Sequence, residues 1–417
     1  MAAAPWGKVY FRDAYAGLLQ QEPGGRCVFT YDRAYLRSER PEPIAHTLPL
    51  RPEPFYSEGG LHPFFDNLVA EGWLRSAQAR ALGADPENRL ALLLGFGRDL
   101  VGAVSVIDPE PRTDLRLDPD DPVTTAALAS RASLSGIQRK LLVVRDERGY
   151  RPANAVEIST HIAKLPSGPL QDVVEVEFLT TVAMKALLPG EPTADLEIGS
   201  VRGVPGTVLV VRRFDRTGTG RKLHFEEFNQ LLGRRSGGDK YAGAYEDMGR
   251  FIRETPGCML AEADRLYRRI LACLLVGNTD AHFKNFAMFH TRDGLRLTPA
   301  YDLVASAVYP KYQTIALRIG GAENLGIGAL QPKHLASLGG GFGLNEGAIE
   351  TAIEDIGARL DGAANRVAAA DAGSRPLKDD LIERMRKRWN GSFVSTGRLL
   401  SKRRSKGGRR RTLRNKG

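Results

Sequence analysis

Cysteine is scarce: Cys27, Cys258 and Cys273 are the only three in 417 residues. They are odd in number, far apart and in no metal or redox spacing, which argues against a disulfide-stapled or zinc-ribbon fold and suits small buried hydrophobes. Long apolar runs are missing too. No stretch approaches the ~20 residues of a membrane span, and no basic-then-apolar leader opens the chain. The expectation is a soluble, cytoplasmic protein with no membrane partner. Internal repeats are absent, and no G-x4-G-K-S/T phosphate loop occurs; Gly339–Gly343 reads only as a flexible turn. The body also lacks net charge. The total is +10, but nine of the 59 Lys and Arg, and none of the 49 Asp and Glu, fall in 402–417. The rest is within one charge of neutral. That basic tail self-repels and reads as disordered, either a solvated terminus or a nonspecific nucleic-acid contact.

What is present is enough chain for about two to three domains with a large core. Residues 1–115 read as a small α/β subdomain. Lys8–Arg12, Cys27–Tyr31 and Leu100–Ile107 look like strands, the 65–74 stretch has helical spacing, and Asp85 with Pro86 opens a helix stopped by Gly95. Residues 108–127, rich in Pro and Asp, read as a linker. From 128 to 220 the order is strand (Leu141–Val144), strand (His161–Leu165), helix (172–188), strand (Thr207–Phe214). From 221 to 399 the pattern is mostly helical: 225–233, 245–253, 261–276, 345–360 and 377–399. The last segment, 400–417, is the tail.

Chemistry concentrates in Leu274-Leu-Val-Gly-Asn-Thr-Asp-Ala-His-Phe-Lys-Asn-Phe286. An apolar run ends in a Gly-Asn turn, and Asp280, His282 and Asn285 follow within six residues. An Asp with an Asn five residues on is the spacing of the protein-kinase catalytic loop. Asp302, in Leu297-Thr-Pro-Ala-Tyr-Asp-Leu303, follows a strand-like segment where a kinase places its other metal-binding Asp. Asp280 would be the base or orienting group for a substrate hydroxyl; Asn285 and Asp302 offer hard oxygens suited to Mg²⁺. His282 braces the loop or transfers protons, the first being favoured. Lys284 touches a phosphate or is solvated. Upstream, Ser133-Leu-Ser-Gly-Ile-Gln-Arg-Lys140 precedes a strand, and its turn either cradles phosphate or is a hairpin with surface bases. Lys164 lies in a strand with apolar neighbours. It is either a buried phosphate-binding Lys paired with Glu175 or Glu177, or an edge-strand Lys in solvent.

Taken in order, Ser133–Lys140, His161-Ile-Ala-Lys-Leu-Pro166, Val211-Arg-Arg-Phe-Asp-Arg216, His224-Phe-Glu-Glu-Phe228, Lys240–Asp247, Gly277–Asn285 and Pro299–Leu303 resemble the HipA-type serine/threonine kinases, toxins of bacterial type II toxin–antitoxin systems. The resemblance implies an α+β, protein-kinase-like two-lobe fold, with a small β-rich lobe, a large all-α lobe and the N-terminal subdomain. It implies that Ser135, Gly136, Ile137, Gln138, Arg139 and Lys140 form the phosphate loop and that Lys164 binds phosphate. Arg212, Arg213 and Phe214 become the adenine-contacting hinge, with His282 and Lys284 beside the nucleotide. Asp280 becomes the catalytic residue, Asn285 and Asp302 the Mg²⁺ ligands, and Ser133 and Ser135 autophosphorylation sites whose phosphate silences the enzyme. The chain departs from relatives in Glu175-Val-Glu177, where Glu-Asn-Glu is frequent, and in Arg212, where an acidic or apolar residue is common.

The implied activity is ATP- and Mg²⁺-dependent phosphorylation of a protein, an aminoacyl-tRNA synthetase. The implied partner is a helix-turn-helix antitoxin of HipB type, through which DNA is bound, with the basic tail as an accessory. Two other readings differ in class: a kinase-fold binding module with little turnover that acts with an antitoxin on operator DNA, and a metal-dependent hydrolase using Asp280, His282 and Asp302, which has too few histidines nearby.

Overall fold

The computed structural model describes residues 4–111, 114–118, 121–133, 138–166, 168, 170 and 172–401. The chain divides into two units. The first takes 1–174, 194–240 and 287–290, and the second takes 175–193, 241–286 and 291–417.

In the first unit, alternation of buried and exposed side chains builds β1 (Trp6–Phe11), which pairs antiparallel with β2 (Ala14–Gln21). β3 (Cys27–Tyr31), the short α1 (Arg33–Leu36) and β4 (Phe55–Ser57) follow, then α2 (Pro63–Asp66), α3 (Gly72–Leu82), α4 (Arg89–Phe96) and β5 (Val104–Ile107). The sheet order is β4-β3-β2-β1-β5, and Val9, Phe29, Phe65, Leu93 and Phe96 fill the core against it. After α5 (Pro122–Ala129) a second sheet forms from β6 (Lys140–Asp146), β7 (Gly149–Pro152), β8 (His161–Lys164), β9 (Leu196–Gly199) and β10 (Val208–Arg212). Its order is β7-β6-β8-β10-β9, antiparallel throughout, so β8 is central. α6 (Val173–Leu187) runs on from this unit into the other. β11 (Phe225–Glu227), α7 (Phe228–Leu231) and β12 (Ala287–Thr291) complete the set, with Phe225 opposite Phe289 across β11 and β12.

The second unit is helical around α9 (Ala261–Val276), preceded by α8 (Tyr245–Glu254). Glu262 and Asp264 in the first turn of α9 suit its positive N-terminal end, and everything from Ile270 to Val276 is buried. β13 (Gly294–Leu297), α10 (Pro332–Gly341), α11 (Glu346–Ala358), α12 (Leu360–Ala368) and α13 (Arg375–Arg388) follow. A π-turn at Trp389–Phe393 links α13 to a further helical stretch that reaches Ser401. No helix among the described residues is long and apolar enough to cross a membrane.

Several local expectations are corrected. The single helix over 65–74 is two, α2 and α3, broken before Gly72, whose φ of +56° does not continue a right-handed helix. The helix expected to open at Asp85 opens three residues later, at Asn88. Asn88 Oδ1 caps the Ala91 amide at 3.1 Å, and Asp85 instead closes a turn onto Glu87. The 100–107 strand is only β5, since Gly102 at φ +71° forms a turn. The expected linker holds α5, capped by Asp121. The 225–233 helix begins as β11. Gly339, Gly340 and Gly341 belong to α10; a Cβ on Gly339 would lie 2.4 Å from Ile349 Cγ1, so that glycine permits close helix packing. Cys258 is half-buried, unlike Cys27 and Cys273. The tail over 402–417, apart from Ser401 before it, lies outside the described residues.

Candidate active site

The loop that carries Asp280 leaves α9 through Gly277, a left-handed C-cap at φ +85°. A Cβ there would meet Arg388 Nη2 at 2.2 Å, and that guanidinium donates to the Leu275 carbonyl at 2.9 Å. The loop is then tied at successive points. The Ala307 amide donates to the Gly277 carbonyl (3.0 Å), and the Thr279 hydroxyl reaches the Tyr312 carbonyl (2.7 Å). The buried Tyr245 hydroxyl donates to the Ala281 carbonyl (2.9 Å). A scaffold held this way presents side chains with little freedom.

Asp280 is exposed and accepts a hydrogen bond from the Tyr241 hydroxyl at 3.0 Å. Two residues on, His282 Nδ1 accepts from the Lys284 amide (3.3 Å), and the ring stands edge-on to Tyr241, centroids 5.0 Å apart. Asn285 Oδ1 accepts from the His282 amide (3.0 Å), while its Nδ2 donates to Asp302 Oδ2 at 2.6 Å. Asp302 itself holds φ at +56°, a strained value for a non-glycine residue. The Tyr301 hydroxyl donates to the Lys284 carbonyl (2.8 Å), which links the two segments again. Lys284 is buried, so the solvated alternative for it is set aside. Asp280, His282, Lys284, Asn285 and Asp302 are thus gathered in one unit. Tyr241 was not singled out from sequence, although its segment was among those carrying the resemblance; nothing in the spacing marks a hydroxyl 39 residues from Asp280 as its partner.

In the other unit, Lys164 is 6% exposed on β8, between Lys140 of β6 and Leu209 of β10. The central position excludes the edge-strand alternative. Gln138 donates through Nε2 to the Leu165 carbonyl (2.9 Å), and the Arg139 carbonyl accepts from the Leu165 amide (2.8 Å). The Arg139 side chain pairs with Asp121 at 3.0 Å. Gln138, Arg139, Lys140 and Lys164 therefore share one end of this sheet. Ser135, Gly136 and Ile137 lie outside the described residues; Ser133 is buried. Glu177 on α6 is buried and Glu175 half-buried.

The expected hinge splits by residue. Arg212 is exposed, and the Phe214 ring packs on Phe225 and Phe289, centroids 5.2 and 5.7 Å away. The Arg213 side chain is wholly turned into the unit. It bonds Asp215 (2.8 Å), Asp99 (3.2 Å), Ser159 (2.8 Å) and the Leu100 carbonyl (2.9 Å), beside Arg216, which bonds the same two carboxylates. That leaves only its backbone for a ligand. Burial alone would raise Asp99 and Asp215, but the facing Arg213 and Arg216 guanidiniums hold both carboxyls below the usual range.

Comparisons with known proteins place the chain in a family. Residues 7–107 match the family model of the HipA N-terminal domain, and 132–364 that of the HipA-like C-terminal domain. A putative kinase, Y4mE, of Sinorhizobium fredii is 31% identical over 343 residues, 75% of this chain and 80% of the relative. The serine/threonine-protein kinase toxin HipA of Shewanella oneidensis is 28% identical over 76% of this chain and 79% of its own. The structure of Shewanella oneidensis HipA with HipB and its operator DNA superposes with a TM-score of 0.76 at 22% identity, covering 94% of this chain and 99% of that one. The fold is the α+β fold of HipA, and the chain belongs to the HipA family of kinase-like proteins.

Proposed function

We propose that the chain is an ATP- and Mg²⁺-dependent serine/threonine protein kinase and the toxin of a toxin–antitoxin pair. The observation that carries this reading is the 2.6 Å contact between Asn285 and Asp302, with Asp302 strained, beside an Asp280 open to solvent. Asp280 accepts the proton of a Ser or Thr hydroxyl as its oxygen attacks the γ-phosphorus and ADP leaves. The Tyr241 hydroxyl holds the carboxylate in place. The residues fit a Mg²⁺ ion by the chemistry of their donors: the Asp302 carboxylate and the Asn285 carbonyl oxygen, which has a second lone pair besides the one facing the His282 amide, are hard oxygens held next to each other. Mg²⁺ bound there supplies charge neutralisation for the phosphates. Lys164, with Gln138, Arg139, Lys140 and the 135–137 turn, holds the phosphates; the 212–214 backbone takes the adenine.

Ser133 and Ser135 are the proposed autophosphorylation sites. Ser133 is 3% exposed, so phosphate reaches it only after it leaves its present position. The proposed division of labour is 1–115 as N-terminal subdomain, 128–220 as phosphate-binding small lobe, 221–399 as helical large lobe and 400–417 as a basic tail. The partners are a helix-turn-helix antitoxin of HipB type and, through it, operator DNA, as in the Shewanella oneidensis complex. The substrate is a protein, an aminoacyl-tRNA synthetase, and the setting is cytoplasmic. The test incubates purified chain with labelled ATP and Mg²⁺. Label on Ser133 or Ser135 that disappears in Asp280→Ala is expected. Absence of ATP binding by calorimetry sinks the reading and leaves a kinase fold that serves only to bind its antitoxin.

A further inference from the structure

Three side chains outside the proposed phosphotransfer set meet on one face of the β11–β12 pair. Successive side chains on a strand alternate faces, so His224 and Glu226, two apart, point the same way. Phe225 lies opposite Phe289, and the His290 amide donates to the His224 carbonyl at 3.0 Å, which puts His290 directly across from His224. Two imidazoles and a carboxylate thus converge, their candidate ligand atoms all within 4.8 Å of one another.

The hydrogen bonds within this cluster do not close. His224 is 2% exposed, and neither ring nitrogen has a well-formed hydrogen bond among the described residues; only the Ile44 carbonyl lies near enough to favour its protonated ring. The Glu226 carboxylate is fully buried. Its Oε2 takes the His46 amide (2.6 Å) and His290 Nε2 (2.7 Å), while Oε1 has no hydrogen-bond partner among the described residues. Unmet polar groups this deep are rare unless something else occupies the space among them.

We propose that His224, Glu226 and His290 form a binding site for a transition-metal ion, Zn²⁺ by preference, that staples the β11–β12 pair to the N-terminal part of the chain. Two imidazole nitrogens and one carboxylate oxygen are a borderline donor set that suits Zn²⁺ and not Mg²⁺. A tetrahedral Zn²⁺ with bonds of about 2.1 Å wants donors about 3.4 Å apart, so the three close in modestly on binding. His290, with 16% of its side chain exposed, leaves the fourth position to water. The staple follows from the surroundings: His224 packs edge-on against Phe11 (5.0 Å) and Phe64 (6.4 Å), both from the 7–107 domain.

The test uses the full chain without a polyhistidine tag, stripped by a chelator and titrated with zinc chloride, then with cobalt chloride. One zinc per chain, not displaced by excess Mg²⁺, and a zinc-dependent rise in melting temperature are expected. His290→Ala should weaken binding by about tenfold or more while circular dichroism stays unchanged. His290→Cys should keep cobalt and add a thiolate-to-cobalt charge-transfer band that the native chain lacks. That second variant decides the matter if the alanine variant fails to fold. No zinc bound by the native chain, equal zinc affinity in a folded His290→Ala, or cobalt-loaded His290→Cys without the new band would each overturn the site.

Discussion

Asp302 and Gly277 both take positive φ, for opposite reasons. Among the described residues Asp302 shares that region with only three other non-glycines, and strain of this kind persists where neighbours over-determine it. Its neighbour is the Asn285 amide at 2.6 Å. Gly277 carries no such strain, because it lacks the Cβ that would collide with Arg388. Gly277→Ala should therefore lower the unfolding free energy by about 2–4 kcal/mol, combining a left-handed penalty of about 1–2 kcal/mol with displacement of the half-buried Arg388 guanidinium. Urea denaturation measures it. Adding Arg388→Ala should recover part of the loss, since the two share one collision; strict additivity would refute the account. Tyr241→Phe probes the other end of the loop. The lost hydrogen bond to Asp280 is surface-exposed and worth about 1 kcal/mol, so phosphotransfer should slow about fivefold with the melting temperature unchanged. An unaltered rate would remove Tyr241 from the mechanism.

At the scale of elements, the end of β10 is held by a buried tetrad of Asp99, Asp215, Arg213 and Arg216, each nearly free of solvent. Because both carboxyls sit below their ordinary range when folded, the native chain binds fewer protons than the unfolded one. Their contribution is complete above the ordinary carboxylate pKa of about 4 and drains away as pH falls toward the folded value. Asp99→Asn should cost about 3–5 kcal/mol at neutral pH, because it leaves guanidinium charge uncompensated, and should flatten the acid limb of the stability curve. Urea midpoints at neutral pH and near pH 3 compare the two chains; a parallel fall in both would count against the tetrad. This tetrad also marks where the sequence stops being legible. The resemblance implied an adenine-contacting hinge at Arg212, Arg213 and Phe214, and only the fold reveals that the Arg213 side chain faces inward, since its partner Asp99 is 114 residues away. α9 was legible to the residue because an apolar run, early acids and a terminal glycine agree. β2 was not, since Ala14–Gln21 alternates weakly and gains its strand character from pairing with β1 and β3. The site loop was readable because its residues are sequence neighbours. The His224–Glu226–His290 cluster was not, because the period of two shows only once β12 is known to lie opposite.

For the whole molecule, the decisive fact is that the first unit is built from three separate stretches of chain. The 7–107 domain is bound to 194–240 by buried polar contacts rather than by a tether alone. Lys240 pairs with Glu71 at 2.9 Å, Arg235 donates to the Leu61 carbonyl at 2.8 Å, and Asn229 donates to Asn67 at 2.8 Å. Arg213 and Arg216 both reach Asp99. Removing residues 1–110 would take Asp99 and Glu71 away from these cations and open to water the core in which Ala70 and Leu74 pack with Leu141 and Val210. Residues 109–111, by contrast, are exposed and outside every helix and strand, so a break there severs no buried hydrogen bond. Residues 111–417 made alone should therefore be insoluble or unfolded. Co-produced with 1–110, they should purify as a one-to-one complex that survives high salt, because buried pairs are little screened. Size-exclusion chromatography and melting curves check this. A fragment 111–417 that is soluble and melts like the intact chain would mean that the tetrad and the Glu71–Lys240 pair hold nothing together.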